Sequence, residues 1–429
     1  MFKKKSDNNN IVINNKQDDL KKGVFKNNKV INSFLSASLI LIGSSILPVN
    51  VSNTHFDKGI IFTDNNAMAA ENPADKILNS VKNKVANDTR ITLFDVKVIN
   101  TKSGLVAQGK VLEESQRQEV IKELSKLGKV KNNIEVFPFA ETGELSYGVA
   151  NLPVMQIRDK GKHSSQLITQ GLFGMTMRII GGHPKKDDWV LVSMNDDKYV
   201  GWVRRPDIWF VNKKEFDSWN NQEKIILTDP TVQVLNSANK NDKSELKLYM
   251  STRLNLVGES GDYYEVKLPG GNKHYSNHNT YIAKSSARVI GKNLTPFNIK
   301  GQDLVVKAKM LLSAPYLWGG SSPMMNDCSG YTQLLYKVNG YIIPRDADQQ
   351  QFFSKPVASR NDLKVGDLVF FAENKGKSAT HVGMYIGDKK FIHSSVGYGG
   401  VTITSFDPKD SLFNSWYIDN YLTAGRILK

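Results

Sequence analysis

The stretch NDCSGYTQLLYKV, residues 326–338, holds the one cysteine of a 429-residue chain. A cysteine met alone is by default a small buried hydrophobe with no chemistry of its own. The neighbours of Cys328 point elsewhere. Asp327 stands where it can cap a helix that starts at the cysteine and runs to about Gly340. The open N–H groups of a helix start favour thiolate over thiol and can help hold an oxyanion. Ser329 and Gly330 are small and leave the sulfur approachable.

Working outward, DLVVKAKMLLSAPYLWGG (303–320) opens as a helix, with Val305, Ala308 and Leu312 spaced for one face. Downstream come four strand-like runs: GDLVFFA (366–372), HVGMYIG (381–387), KFIHSS (390–395) and VTITSF (401–406). Helices first and antiparallel strands after give an α+β layout over 299–429. A nucleophilic cysteine needs a base, and the base needs an orienting group. Of seven histidines, His381 and His393 lie in these strands, among apolar or small residues. A polar ring in a core-forming strand needs a buried partner, and adjacent strands can set two imidazoles side by side. Either histidine alone reads as a satisfied core residue. Together with the setting of Cys328 they read as catalytic.

These motifs, YLWGG with DCSG, HVGMYIG and FIHSS, resemble those of the NlpC/p60 papain-like cysteine peptidases of bacterial cell walls. The spacing is similar too: 53 residues from Cys328 to His381 and 12 from there to His393. The resemblance implies Cys328 as nucleophile, His381 as general base and His393 as the residue that orients it. It implies Tyr316, with Asp327 and Ser329 flanking the cysteine, in contact with substrate. The implied substrates are peptidoglycan stem peptides, cut on the carboxyl side of γ-D-glutamate, with no cofactor and no metal.

The rest of the chain narrows this. From 144 to 298, short apolar runs recur between Gly, Asp, Asn and Lys turns. DWVLVSMNDDKYVGWVRRPDIW (188–209) and DYYEVKLPGGNKHYSNHNTYIAK (262–284) repeat one arrangement of run, turn and aromatic-rich run. Two SH3-like β-barrels, 143–213 and 214–298, account for it; one large β domain is the alternative. Before them, ITLFDVKVIN, GLVAQGKVL, ESQRQEVIKELSKLG and NNIEVFPF read as a small β-β-α-β unit, roughly 92–139. Its helix faces Val120, Ile121, Leu124 and Leu127 to one side. A polar linker or weak helix precedes it, so that 70–142 forms one segment.

Two SH3-like domains ahead of such a catalytic domain resemble the γ-D-glutamyl-L-diamino acid endopeptidases of peptide recycling. In that group a free N-terminal L-alanine is selected by an aspartate in a PRD segment, matched by Asp346 in IPRDADQQ (343–350). A tyrosine before GW also takes part, matched by Tyr199 in YVGWV (199–203). The group's glutamate in a SEL-type segment is replaced here by Gln166, and a serine after the aspartate by Ala347. Glutamine accepts a hydrogen bond but brings no charge. On their own, Tyr199 reads equally as a barrel-core tyrosine and Asp346 as a helix cap.

Residues 1–69 read as an export signal. A lysine-rich leader is followed by FLSASLILIGSSILPV (34–49), too short for a membrane span and broken by Gly43 and Pro48, and by a cleavage pattern ending at Ala69. An uncleaved anchor is the alternative. The protein is expected to be secreted or held at the cell wall, with no membrane association after cleavage. The net charge is +15, and nine lysines against five aspartates in 1–69 leave +11 to the rest. That suits an anionic wall polymer better than nucleic acid, for which no motif is present. HYSNH (274–278) spaces His274 and His278 by four but lacks a metalloprotease glutamate. PGGNK (269–273) is a hairpin turn, with no GK[ST] helix after it. The readings left beside the leading one are a hydrolase of intact peptidoglycan that binds wall through its SH3-like domains, and a wall-binding protein without activity.

Overall fold

The computed structural model describes residues 72–270, 280–373 and 376–428. The export segment, and His274 and His278, lie outside the described residues. Among the described residues four sheets form, each around alternating apolar positions, and no helix is long and apolar enough to cross a membrane.

The first sheet joins β1 (Phe94–Thr101), β2 (Gly104–Val111) and β3 (Val130–Val136). β1 and β2 form a hairpin, and β3 runs parallel to β2. Two helices, α1 (Pro73–Val85) and α2 (Glu114–Leu124), cover one face. The polar segment before β1 is thus no loose linker. Asn72 caps α1, Pro73 starts it, and Ala74, Leu78 and Val81 are buried in the unit's core. Leu127 departs from expectation: α2 ends at Leu124, a 3-10 turn follows, and Leu127 is 47% exposed.

A second sheet orders its strands β10-β4-β7-β8-β9-β5-β6. They are β4 (Tyr147–Ala150), β5 (Val154–Arg158), β6 (Leu167–Leu172), β7 (Thr176–Gly181), β8 (Trp189–Met194), β9 (Val200–Arg204) and β10 (Ile208–Val211). The turn after Met194 carries Asp196 to Arg253 and Asp197 to Gln333. After α3 (Lys213–Asn220) a third sheet follows the order β13-β12-β16-β15-β14-β11-β17. Its strands are β11 (Lys224–Leu227), β12 (Thr231–Leu235), β13 (Lys243–Tyr249), β14 (Arg253–Ser260), β15 (Tyr263–Lys267), β16 (Thr280–Ala283) and β17 (Ala287–Val289). It closes round its own core, Ile225, Leu227, Val234, Leu248, Leu254 and Ile282 among others.

The C-terminal part is α+β. Three helices, α4 (Gly301–Lys309), α5 (Cys328–Lys337) and α6 (Ala347–Phe353), precede the strands. These are β18 (Lys355–Val357), β19 (Leu368–Phe371), β20 (His381–Gly387), β21 (Lys390–Ser395) and β22 (Gly400–Ser405), then the short α7 (Trp416–Asp419) and β23 (Tyr421–Arg426). The sheet order is β18-β23-β19-β20-β21-β22. α4 buries Leu304, Val305 and Ala308, and Leu311 follows them inward. Leu312, expected on that face, is 42% exposed because the helix has ended by then. Met155, Ile157, Met177 and Val192 of the second sheet share one continuous apolar cluster with Leu304, Tyr331, Leu335, Phe370 and Val382 of this part.

Candidate active site

α5 opens at Cys328, and its first turn is pinned from several sides. Asp327 is the N-cap, and its Oδ1 accepts the Gly330 N–H at 2.7 Å. Its Oδ2 accepts the N–H of Gly319 at 2.9 Å. The helix start lies so close to the 317–320 loop that a Cβ on Gly330 would run into the Gly320 carbonyl, so only glycine fits. Cys328 is 8% exposed. The backbone N–H groups of Ser329 and of Val382, the second residue of β20, face its sulfur.

Val382 follows His381, so the thiol lies against the strand end that carries this histidine. His381 Nε2 and His393 Nδ1 are 2.8 Å apart across the β20–β21 pair, with ring planes 82° apart. His393 Nε2 meets the Thr404 hydroxyl of β22 at 2.9 Å. His393 and Thr404 are fully buried. The chain of contacts has a direction. If His381 keeps Nδ1 unprotonated and able to take a proton, Nε2 carries the hydrogen and donates it to His393 Nδ1. His393 then carries its own hydrogen on Nε2 and donates to Thr404 Oγ1. Phe371, Phe391 and Tyr417 pack round the two imidazoles.

Burial sets the charges at rest. It pushes the Cys328 thiol up to about 12, and the negative charge of Asp327 pushes the same way. The two N–H groups and Arg345 oppose this and do not overcome it. The helix start alone would favour thiolate; here burial outweighs it. Burial also pulls His381 down to about 4, against the opposing pull of Asp327. His393 is held well below the usual imidazole range by burial and by His381. The free protein therefore carries thiol and neutral imidazole. Moving one proton from sulfur to His381 creates two charges together, and each offsets the cost of burying the other.

Arg345 is 1% exposed and forks onto Asp327, Nη1 to Oδ1 at 3.0 Å and Nη2 to Oδ2 at 2.6 Å. It also donates to Ser329 Oγ at 2.9 Å and, through Nε, to Thr169 of β6 at 2.9 Å. Beside it, Gln170 of β6 and Ser321 exchange three hydrogen bonds. The second sheet thus forms one wall of the region. The side chains of Asp327 and Ser329, expected at the substrate, are both bonded within the protein.

Tyr316 is brought beside the cysteine by a bridge to Asn326. Its phenol is pushed up by burial and then by the nearby Cys328 and Asp327. Asp346 caps α6, its N–H bonded to Gln349 Oε1 at 3.1 Å. The buried Tyr199 donates its hydroxyl to Asp346 Oδ2 at 2.9 Å, so the two residues meet across 147 positions of sequence. Gln166 is exposed, and among the described residues its side chain makes no hydrogen bond to this pair. Three residues that sequence reasoning passed over take part: Thr404, Arg345, and Arg90, whose Nη1 donates to Asp346 Oδ2. Among the described residues no cluster of His, Cys, Asp and Glu could hold a metal ion.

The NlpC/P60 family pattern matches residues 313–422, which include the cysteine and both histidines. A second pattern, "Bacterial dipeptidyl-peptidase Sh3 domain", matches 157–208 in the second sheet. The chain is 34% identical to the γ-D-glutamyl-L-lysine dipeptidyl-peptidase of Bacillus cereus, over 62% of this chain and 77% of that protein.

The chain belongs to the NlpC/P60 family.

As a member of it, the chain is a cysteine peptidase of multidomain α+β fold. It is also similar to the Bacillus subtilis protein of the same name, 31% identical over 53% of this chain and 71% of the relative. A crystal structure of an NlpC/P60 family protein from Bacillus cereus superposes with a TM-score of 0.56 at 28% identity. That match covers 66% of this chain and all of the other.

Proposed function

We propose that the protein is an exported cysteine endopeptidase that cleaves the bond between γ-D-glutamate and the diamino acid of peptidoglycan stem peptides bearing a free N-terminal L-alanine. The observation that carries the reading is the meeting of Cys328, His381 and His393 at one helix start, with the Asp346–Tyr199 pair beginning at the residue after Arg345, which bonds Asp327 at that start. The two relatives' names specify L-lysine as the diamino acid.

The chemistry uses the chain's own groups. His381 takes the thiol proton as sulfur adds to the γ-carbonyl carbon. N–H groups at the start of α5 and the Tyr316 hydroxyl would hold the oxyanion. As the tetrahedral centre collapses the C–N bond breaks, and His381 returns the proton to the leaving α-amine. Water then adds to the thioester, giving its proton to His381, and a carboxylate leaves as the thiol reforms. His393, braced by Thr404, keeps the base in the tautomer that these steps need. The substrate ammonium is met by the Asp346 carboxylate and the Tyr199 ring and hydroxyl.

The test offers the full-length protein L-Ala-γ-D-Glu-L-Lys and its diaminopimelate counterpart and reads the products by mass spectrometry. Release of L-Ala-γ-D-Glu is expected, and Cys328→Ala lowers the rate by roughly a thousandfold or more with the fold intact. Wild-type cleavage by that variant sinks the mechanism.

A further inference from the structure

We infer that Arg90 is a specificity-determining residue: its guanidinium shares the carboxylate that would receive the substrate's N-terminal ammonium, and so sets how strongly the cleft demands a free amine. This rests on the proposed role of Asp346. Arg90 lies in the segment between α1 and β1, outside the matched family regions. Its carbonyl accepts the Val200 N–H at 2.7 Å, which lays the segment beside Tyr199. Its Nη1 reaches Asp346 Oδ2 at 2.9 Å, the same oxygen that Tyr199 bonds at 2.9 Å. The rest of the fork is held by Asp348, through Nη1 and Nη2 at 2.9 and 2.8 Å, and by Asp88, through Nε and Nη2 at 2.9 and 2.8 Å. Gln349 braces Asp88 at 2.6 Å.

All five guanidinium hydrogens are therefore engaged, and none is left to bind substrate. What Arg90 adds to the site is a fixed positive charge beside Asp346. An ammonium approaching that carboxylate meets an incumbent cation. That charge weakens the preference for a free amine over an acylated end. The side chain is 38% exposed, so solvent moderates the effect without cancelling it. A plain strut would be indifferent to the charge of the peptide end.

The experiment measures binding of L-Ala-γ-D-Glu-L-Lys and its N-acetyl form by calorimetry, in full-length Cys328→Ala and in the same protein carrying Arg90→Gln or Arg90→Lys. Arg90→Gln raises the affinity ratio of free over acetylated peptide by roughly fivefold or more, through tighter binding of the free amine. Arg90→Lys, which keeps the charge and loses the fork, leaves the ratio within about twofold. A ratio that is unchanged or falls in Arg90→Gln, or equal loss of both peptides, overturns the inference. Failure of the functional reading shows separately, as absence of cleavage by the wild-type protein; if neither peptide binds any form, both are overturned.

Discussion

Thr404 ends the chain of contacts that starts at His381. With His381 Nδ1 left free as the base, His393 Nδ1 receives the His381 hydrogen and the Thr404 hydroxyl accepts from His393 Nε2. Thr404→Val keeps the shape and removes the acceptor. It is expected to lower kcat roughly tenfold or more with KM little changed, and Thr404→Ser to recover most of the loss. Equal rates for valine and wild type would remove Thr404 from the relay. The shifts at Cys328 and His381 fix a second outcome. His381 is neutral above about 4 and Cys328 is protonated below about 12. Between these limits the share of thiolate–imidazolium pair does not change with pH. Iodoacetamide should therefore alkylate Cys328 at a rate that varies less than about threefold from pH 5.5 to 8, whereas an ordinary thiol gains about tenfold per pH unit. A steady tenfold rise per unit would show a lone thiol. The cysteine and the histidines were legible because strand pattern and spacing mark them. Thr404 was not: Thr402 and Thr404 both fit the alternation, and the pairing register does not single out Thr404 either. Thr402 stands opposite His393, yet the Thr404 hydroxyl reaches its ring.

At the level of elements, the start of α5 depends on a charge that arrives from the next loop. Removing Arg345 leaves the Asp327 carboxylate buried without its counter-ion. Arg345→Met is expected to cost about 3–5 kcal/mol in urea unfolding, and to slow cleavage through the displaced helix start. A loss below about 1 kcal/mol would mean that the Gly319 and Gly330 N–H groups suffice for Asp327. The cap itself could be read from the sequence, since aspartate before a helix is a local signal. The arginine fork could not, because Arg345 is 18 residues from Asp327 and 176 from Thr169. Helix ends were the weakest reading for a related reason. The apolar spacing of Leu127 and Leu312 continues past the point where the backbone turns away, and spacing alone carries no stop signal.

Across the whole molecule, the second sheet and the C-terminal α+β part behave as one body. Their apolar residues form a single cluster. Polar ties reinforce it: the buried Asp196, which pairs with Arg253 of the third sheet, stands 3.8 Å from Lys337 of α5, and Asp197 accepts from Gln333 at 2.9 Å. Calorimetry is expected to show these two parts melting in one transition. Distinct transitions for the two would contradict a shared core. Sequence alone separated the pieces by their periodicity but could not see that two of them share an interior, since alternation reports that a face is buried and not what buries it.

That shared interior bears on how the enzyme can be handled. Cutting the chain before α4, to produce the family-matched peptidase portion by itself, would split an apolar cluster that runs from the second sheet into the C-terminal part. Such a fragment would be sticky in solution and would lack the wall formed by Thr169 and Gln170. Inhibitor screens run on it would meet a cleft region without the wall that the intact enzyme places there.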